Sequence, residues 1–379
     1  MAHLEIVDSG ILYITADPSH EHVFASHPHV LPLSASEFLC TYERGHAMLS
    51  PERNTALLRS QDGGVTWHEE GFLHDRSGDD RPYSYGDGFI SRMSDGTIVV
   101  ITMRSDRSDP RRKFLSPTGG LIDSDNVIFV SRDDGRTWTR PQPLVLPPGL
   151  VLTPANPVIE LADGRWLATF DRWCAYDDPD PNKPGMWAFF SADRGKTWGD
   201  GLVIAEVTPA GKAFWHGRTV RLNDGRLYTL IMSADISDPR RGVVRENLHY
   251  MLADSAGRHW SAPVPTPVPG QTNNVAELPD GRLGAIYTWR DAAQPGFMVM
   301  LSEDGGQTWN LERQVRVWDA TGWTHLGVNA PAKWPHSHDT IAFGAPDLVA
   351  TPDGDLYAAW WCTLASLTHL RWARLREVA

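Results

Sequence analysis

The sequence is poor in cysteine. Its 379 residues hold three, Cys40, Cys174 and Cys362, widely spaced and odd in number. Three thiols cannot staple a fold of this size or build a zinc-finger module, so reduced cysteines are expected. Long apolar runs are also missing: none approaches the ~20 residues that span a bilayer. The opening MAHLEIVDSGILYITADP has neither a basic leader with a long apolar stretch nor a small-residue cleavage site. The expectation is a soluble, cytoplasmic chain with no membrane partner. Positive charge is scarce, with 35 Lys and Arg against 47 Asp and Glu and a net charge of −12. Nucleic-acid binding depends on clustered cations that displace counterions, so nucleic acid is excluded as a partner.

What is abundant points to turns and aromatic packing. The chain carries 16 Trp, 33 Gly and 28 Pro, with 41% hydrophobic and 22% charged residues, enough for a large core and incompatible with disorder. Arg greatly outnumbers Lys, and a planar guanidinium suits fixed bonding to carboxylates and hydroxyls. An oxygen-rich ligand fits that bias.

Internal repeats set the architecture. The pattern Ser-x-Asp-x-Gly-x-Thr-Trp occurs at Ser60–Trp67, Ser131–Trp138, Ser191–Trp198 and Ser302–Trp309. A worn copy runs from Ala253 to Trp260, with Ser255 in the Asp place and His259 in the Thr place. Out of phase with it, an Asp-Gly turn precedes a strand-like run at Asp95, Asp163, Asp224, Asp280 and Asp353, recurring every 56 to 73 residues. Asp-Gly supplies the positive φ of tight hairpins, and SASEFLCTYE from Ser34 reads as a first copy without its glycine. Six repeats of one four-stranded antiparallel unit predict a six-bladed β-propeller, a single domain over 1–379 with almost no helix. The sixth unit lacks a Trp motif, so LEIVDSGILYITA should supply its outer strand and close the ring.

The Ser-x-Asp-x-Gly-x-Thr-Trp repeats resemble the Asp boxes of the sialidase superfamily of six-bladed propellers. That resemblance implies the fold, a carbohydrate-active site, and a structural role for Asp62, Asp133, Asp193 and Asp304 in turns at the blade periphery. The chain departs from true sialidases at two places. FASHPHVLPL stands where their first blade carries an Arg-Ile-Pro motif, and FGAPDLVATPDG contains no Tyr where their nucleophilic Tyr is found. The resemblance therefore implies a sialidase-like carbohydrate enzyme with a rebuilt pocket rather than a sialidase.

The Asp-Gly turns serve as register marks for that pocket. Counting back seven or eight residues gives Asp87, Asn156, His216 and Asn273, with Asp347 six back and His27 and His29 in the comparable place of the first unit. Polar groups recurring where inner strands begin would converge on an axis, where water or a ligand satisfies them. Counting forward nine gives Arg44, Arg104 and Arg172, with Ser233, Trp289 and Arg290 in later units. These arginines are expected to line a rim facing one acceptor, and the loops RSDRSDPRRKF, DRWCAYDDPDPNKPG and SADISDPRRGVVREN to contact substrate. Tyr83, Tyr85, Trp173, Trp215 and Trp289 could stack on a pyranose, and Arg218 lies beside them in sequence.

Hydrolysis of a glycoside requires an acid and a nucleophile or base, usually two carboxyl groups. Asp87 and Asp347 are the expected pair, with Asp171 and Asp177 as further candidates; Arg172 would keep Asp171 ionised. His216 is the alternative, since imidazole exchanges protons near neutral pH. The leading expectation is an exo-acting glycoside hydrolase on a short oligosaccharide with an acidic or highly hydroxylated sugar. A lyase acting beside a uronate through a His or Tyr base, and a noncatalytic sugar-binding propeller, are the alternatives. No metal motif and no obligatory cofactor are expected, and the sequence leaves the oligomeric state open.

Overall fold

The computed structural model describes residues 3–17, 21–178, 184–238, 240, 242–290, 294–322 and 341–378. Among them there is no α-helix, only strands, turns and two short 3-10 segments. Parts of two of the three long loops, 179–183 and residues 239 and 241, lie outside the described residues.

Repeats two to five each form their own antiparallel sheet. Repeat five shows the unit in its simplest form, with Asn273–Glu277, Leu283–Trp289, Gly296–Ser302 and Val315–Asp319 hydrogen-bonded in sequence order. Repeats six and one share an eight-stranded sheet, in which Phe343–Ala350, Leu356–Leu364 and Leu367–Val378 meet Phe24–Pro32, Phe38–Gly45, Asn54–Ser60 and His68–Phe72. The junction is a single parallel pair, Phe24 with Thr368. The N-terminal strand His3–Tyr13 pairs antiparallel with Leu367–Val378 as the outermost strand, joining the two ends of the chain. Neighbouring repeats touch in cyclic order, and Phe24–Pro32 packs against Phe343–Ala350 to complete the circle. The fold is an all-β propeller.

Burial falls from the inside outwards, and the sequence follows it. Every residue of Asn54–Ser60 is buried, whereas the outer strand His68–Phe72 is mostly exposed. A strand covered on both faces has no solvent side, so its polar residues are bonded inside: Arg59 pairs with Glu37 and Glu70, and Thr55 donates to the Gly86 carbonyl. Aromatic and aliphatic clusters fill the gaps between sheets; one joins Phe297, Phe343, Trp360 and Leu375 of repeats five and six.

The Ser-x-Asp-x-Gly-x-Thr-Trp turns repeat one set of bonds. In the first, Asp62 accepts from the Thr66 amide at 2.9 Å and from Thr66 Oγ1 at 2.6 Å, while Trp67 Nε1 donates to the Gly64 carbonyl at 2.9 Å. Although burial opposes it, this bonding holds Asp62 at a pKa of about 2; at Asp133 and Asp193, where the Thr hydroxyl bond dominates, the value is again about 2. Gly64 has left-handed backbone, with φ at 90°, and an added Cβ would lie 2.7 Å from the Tyr357 ring, so no other residue fits. Tyr357 Oη donates to the Gly64 carbonyl at 2.7 Å, pinning repeat six to repeat one. The worn copy corrects the sequence reading: Asp254, not Ser255, accepts from the Arg258 and His259 amides, and the His259 ring bonds Asp254 at 2.7 Å in the Thr role.

Candidate functional site at the axial ends of the inner strands

Three inner strands carry the same irregularity. Their pairing slips between Ser26 and His29, between Trp215 and Arg218, and between Gly344 and Asp347. At each slip a non-glycine residue takes positive φ: His27 at 53°, His216 at 52° and Ala345 at 41°. A bulge of this kind re-aims side chains at the cost of local backbone strain. Here His27 and His216 stay partly exposed, and the residue two places on from each bulge, which is His29, Arg218 or Asp347, is buried.

The buried residues form a plug. Asp347 accepts from the Val30 amide at 2.7 Å and from Asn274 Nδ2 at 2.5 Å, with His29 Nδ1 at 3.6 Å. His29 packs against Phe89 with ring centroids 4.2 Å apart, and burial lowers its pKa against the pull of Asp347. Arg218 also lies over the Phe89 ring, 4.6 Å from its centroid, and donates to the Ala155 carbonyl. Burial lowers its proton affinity, while the charges of Asp171, Asp87 and Asp347 oppose that shift.

Two histidine–carboxylate pairs stand more open. His216 Nδ1 is 2.8 Å from Asp171 Oδ2, and the His216 amide donates to Asp171 Oδ1 at 2.8 Å. Asp171 is buried, whereas His216 is 33% exposed. A carboxylate on Nδ1 fixes the ring and leaves Nε2 as the exchanging nitrogen. Trp173, held by Thr153 Oγ1 at 3.0 Å, sets its ring 6.4 Å from that of His216. On the other side, His27 Nδ1 lies 3.5 Å from Asp87 Oδ1, and Asp87 is 35% exposed. Burial opposes charge on Asp87, but His27, His29 and Arg53 together hold it below the usual carboxylate range. Behind it sits Glu43, 2% exposed, ion-paired to Arg53 at 3.0 Å, with its pKa raised by burial in spite of that arginine.

The structure thus brings together Asp87, His27, His29, Asp347, His216, Asp171 and Arg218. Other expected contacts go elsewhere. Arg44 bonds Glu69 of its own outer strand at 2.7 Å, and Arg104 chelates Asp125 at 2.6 and 2.8 Å while covering Tyr83 at 4.4 Å. Neither is open to a shared acceptor, so the arginine rim is not formed by them. Arg172 is half-buried with no ion pair among the described residues. Tyr85 is fully buried and donates to Asp79, and therefore offers no face to a sugar. Asn156 clamps repeats three and four through both the amide and carbonyl of Thr219. Asn273 is buried, and its neighbour Asn274 is the residue that reaches Asp347. Arg290 bonds the Phe343 carbonyl and Gln271, joining repeats five and six. Trp215 and Trp289 are half-buried against the aromatic cluster of repeats four and five. Asp177 is exposed beside Arg112.

Glu43 is the residue the sequence reading missed, and strand alternation explains why. Successive side chains point to opposite faces, so the residue before each chosen arginine faces the other way. At that place repeat one carries Glu43 and repeat three carries Asp171, both buried at the axial end.

A model of the BNR repeat-like domain matches residues 36–358, and the chain belongs to that family. It is similar to a sialidase of Micromonospora viridifaciens, 28% identical over 225 residues, which are 51% of this chain and 32% of the relative. The chain thus spans about a third of that curated relative's length. Among solved structures it is similar to a protein of unknown function from Dyadobacter fermentans, with a TM-score of 0.74, 16% identity and coverage of 99% and 100% of the two chains. It is also similar to an α-L-arabinanase of Penicillium chrysogenum solved with arabinobiose, with a TM-score of 0.61, 14% identity and coverage of 98% and 97%. Among the described residues no helix is long and apolar enough to cross a membrane.

Proposed function

We propose that the protein is a glycoside hydrolase, exo-acting on a short oligosaccharide, with its substrate bound at the axial mouth of a six-bladed propeller. The reading of six blades is supported by dividing the eight-stranded sheet at its one parallel pair. The observation that carries the proposal is the pair of partly open histidine–carboxylate groups, His216–Asp171 and His27–Asp87, on strands that meet at the axis. Glycoside cleavage needs one group to protonate the leaving oxygen and another to serve water or the anomeric carbon. His216, oriented by Asp171, is the proton-transfer group; Asp87, held ionised, is the opposing carboxylate. Asp347 is a positioning residue, because it is enclosed by Val30, Asn274 and His29.

The sialidase and arabinanase relatives support a sugar substrate. The departures from the sialidase motifs, together with Arg44 and Arg104 already committed to carboxylates of their own blades, argue against sialic acid. The same two ion pairs weigh against elimination beside a uronate, which needs free cations to neutralise the sugar carboxylate. Elimination keeps one favouring observation, the His216–Asp171 dyad as a base. Incubation with a panel of plant, algal, bacterial and animal oligosaccharides tests both. Products carrying an added water are expected; unsaturated uronates seen by absorbance establish the lyase, and no turnover with saturable sugar binding establishes a binding module.

A further inference from the structure

The His27, Glu43 and Asp87 side chains converge at the mouth of the axial site. One ligating atom from each, an imidazole nitrogen and two carboxylate oxygens, lies within 4.8 Å of the other two. The His27 Nδ1 to Asp87 Oδ1 distance of 3.5 Å exceeds the ~3.2 Å limit of a normal hydrogen bond. It is close to the ~3.4 Å edge of a tetrahedron whose corners stand about 2.1 Å from a central ion. Glu43 and Asp87 are both acceptors, so carboxylates this close need a proton or a cation between them.

We propose that His27, Glu43 and Asp87 bind one divalent transition-metal ion, of the zinc or manganese class, at the axial mouth. A mixed nitrogen and oxygen donor set suits that class and gives it three protein ligands with room for a fourth from solvent or substrate. Access is graded in the way such a site needs. Glu43 forms the closed floor, while His27 and Asp87 are 20% and 35% exposed at the mouth.

The surroundings supply the supporting contacts. Arg53 bonds Glu43 Oε2 at 3.0 Å and fixes the carboxylate's orientation, as outer-shell partners of metal ligands do. His27 Nδ1 is hydrogen-bonded to the Ser26 hydroxyl at 2.9 Å, and an ion taking that nitrogen's lone pair displaces this bond. An independent sign of a missing oxygen is Arg53 itself. It is almost fully buried, its Nε and Nη2 have no hydrogen-bond partner, and Nη2 lies 3.3 Å from where a Cβ on Gly86 would stand, beside Asp87. A water or sugar oxygen carried by the ion on that side would give this guanidinium its acceptor. The three ligands come from the inner bulge of repeat one, the second strand of repeat one and the glycine-flanked segment that opens the inner strand of repeat two. No local motif joins them.

The proposal needs no substrate to be tested. The full chain is stripped with a chelator, its metal content is measured by mass spectrometry, and Zn²⁺ and Mn²⁺ are titrated by calorimetry. One ion per chain is expected, with His27→Ala, Glu43→Gln and Asp87→Asn each weakening binding at least tenfold. Glu43→Gln keeps the shape of a protonated Glu43, and Asp87→Asn alters an accessible side chain, so a fold defect in one is checked against the other by melting temperature. His259→Ala, which changes an exposed histidine far along the chain, should bind like the parent. Absence of stoichiometric binding, or binding that all three variants retain, overturns the proposal and leaves a proton between Glu43 and Asp87. The proposal builds on the axial site but can fail separately from the glycosidase reading. His216→Ala should keep the ion and lose turnover; an ion with no turnover on any sugar refutes the hydrolase alone, and turnover without an ion refutes the metal alone.

Discussion

The inner strands of repeats one and four begin with the same backbone device and end in different chemistry. Both slip register at a histidine, and the two histidines have φ values of 53° and 52°. In repeat four a buried carboxylate from the neighbouring repeat holds both the amide and Nδ1 of His216, at 2.8 Å each. In repeat one the carboxylate facing His27 stands off at 3.5 Å, with a second carboxyl group behind it. The first arrangement is a dyad that directs one nitrogen outwards; the second is an open cluster of donor atoms. Repeat six carries the bulge with Ala345 in the histidine's place, and its contribution is the buried Asp347 two residues on. A bulge therefore provides position, and the residue facing it from a neighbouring repeat decides what that position does.

The largest expected effect falls on the dyad. Asp171→Asn should leave the fold intact but lose ring orientation at His216, reducing kcat by roughly 10²–10⁴-fold, measured on whichever sugar the panel identifies. Equal loss of kcat in His27→Ala and Asp171→Asn, with no metal bound, would erase the distinction between the two histidines. Next comes the plug. Asp347→Ala removes the acceptor of the Val30 amide and of Asn274, and should destabilise the protein by about 2–4 kcal/mol, read by denaturant unfolding. Turnover lost with unchanged stability would instead return Asp347 to the catalytic pair.

A pH scan separates the mouth from the periphery. Asp62, Asp133 and Asp193 have folded pKa values of about 2, below the ordinary 3.8. The stability they contribute is complete above pH ~4 and is lost as pH falls toward 2. His29, lowered by burial, acts in a higher window: the unfolded chain takes up its proton first, so stability declines as pH falls below ~6.5. His29→Gln should flatten that upper decline and leave the lower one unchanged, which thermal melts across pH would show. The smallest effect is expected at the third bulge. Ala345→Gly relieves a left-handed alanine and should stabilise by about 0.5–1 kcal/mol, offset in part by the glycine's greater freedom when unfolded. Loss of stability there would mean that the bulge is held by side-chain packing rather than tolerated as strain.

The repeats were legible because they depend on local chemistry. A turn that needs positive φ at Asp-Gly, or a carboxylate that caps its own turn amides, is written within eight residues, and Ser60–Trp67 and its copies could be read as structure without coordinates. So could the pairing of the first strand with the last, because the sixth repeat was short of an outer strand. The worn copy was misread by one position, since Asp254 and Ser255 are adjacent polar residues and only the hydrogen bonds distinguish them. At the site, counting residues located the inner strand starts, which is how His27, Asp87, His216 and Asp347 were found. Counting could not say which side of a strand faced the axis, and so it chose Arg44 over Glu43 and grouped Arg104 with a rim it does not join.

The sequence by itself determined the repeat, the strands and the closure, because each rests on contacts within one unit or on a missing partner that only one segment can supply. Tertiary structure alone decided the chemistry of the mouth. His216 needs Asp171 from repeat three, His27 needs Asp87 from repeat two, and Asp347 needs Val30 and Asn274 from either side of the ring. Those pairings cross 45, 60, 317 and 73 residues of chain, distances over which sequence pattern carries no register. The closed ring brings them within hydrogen-bond or ligating range.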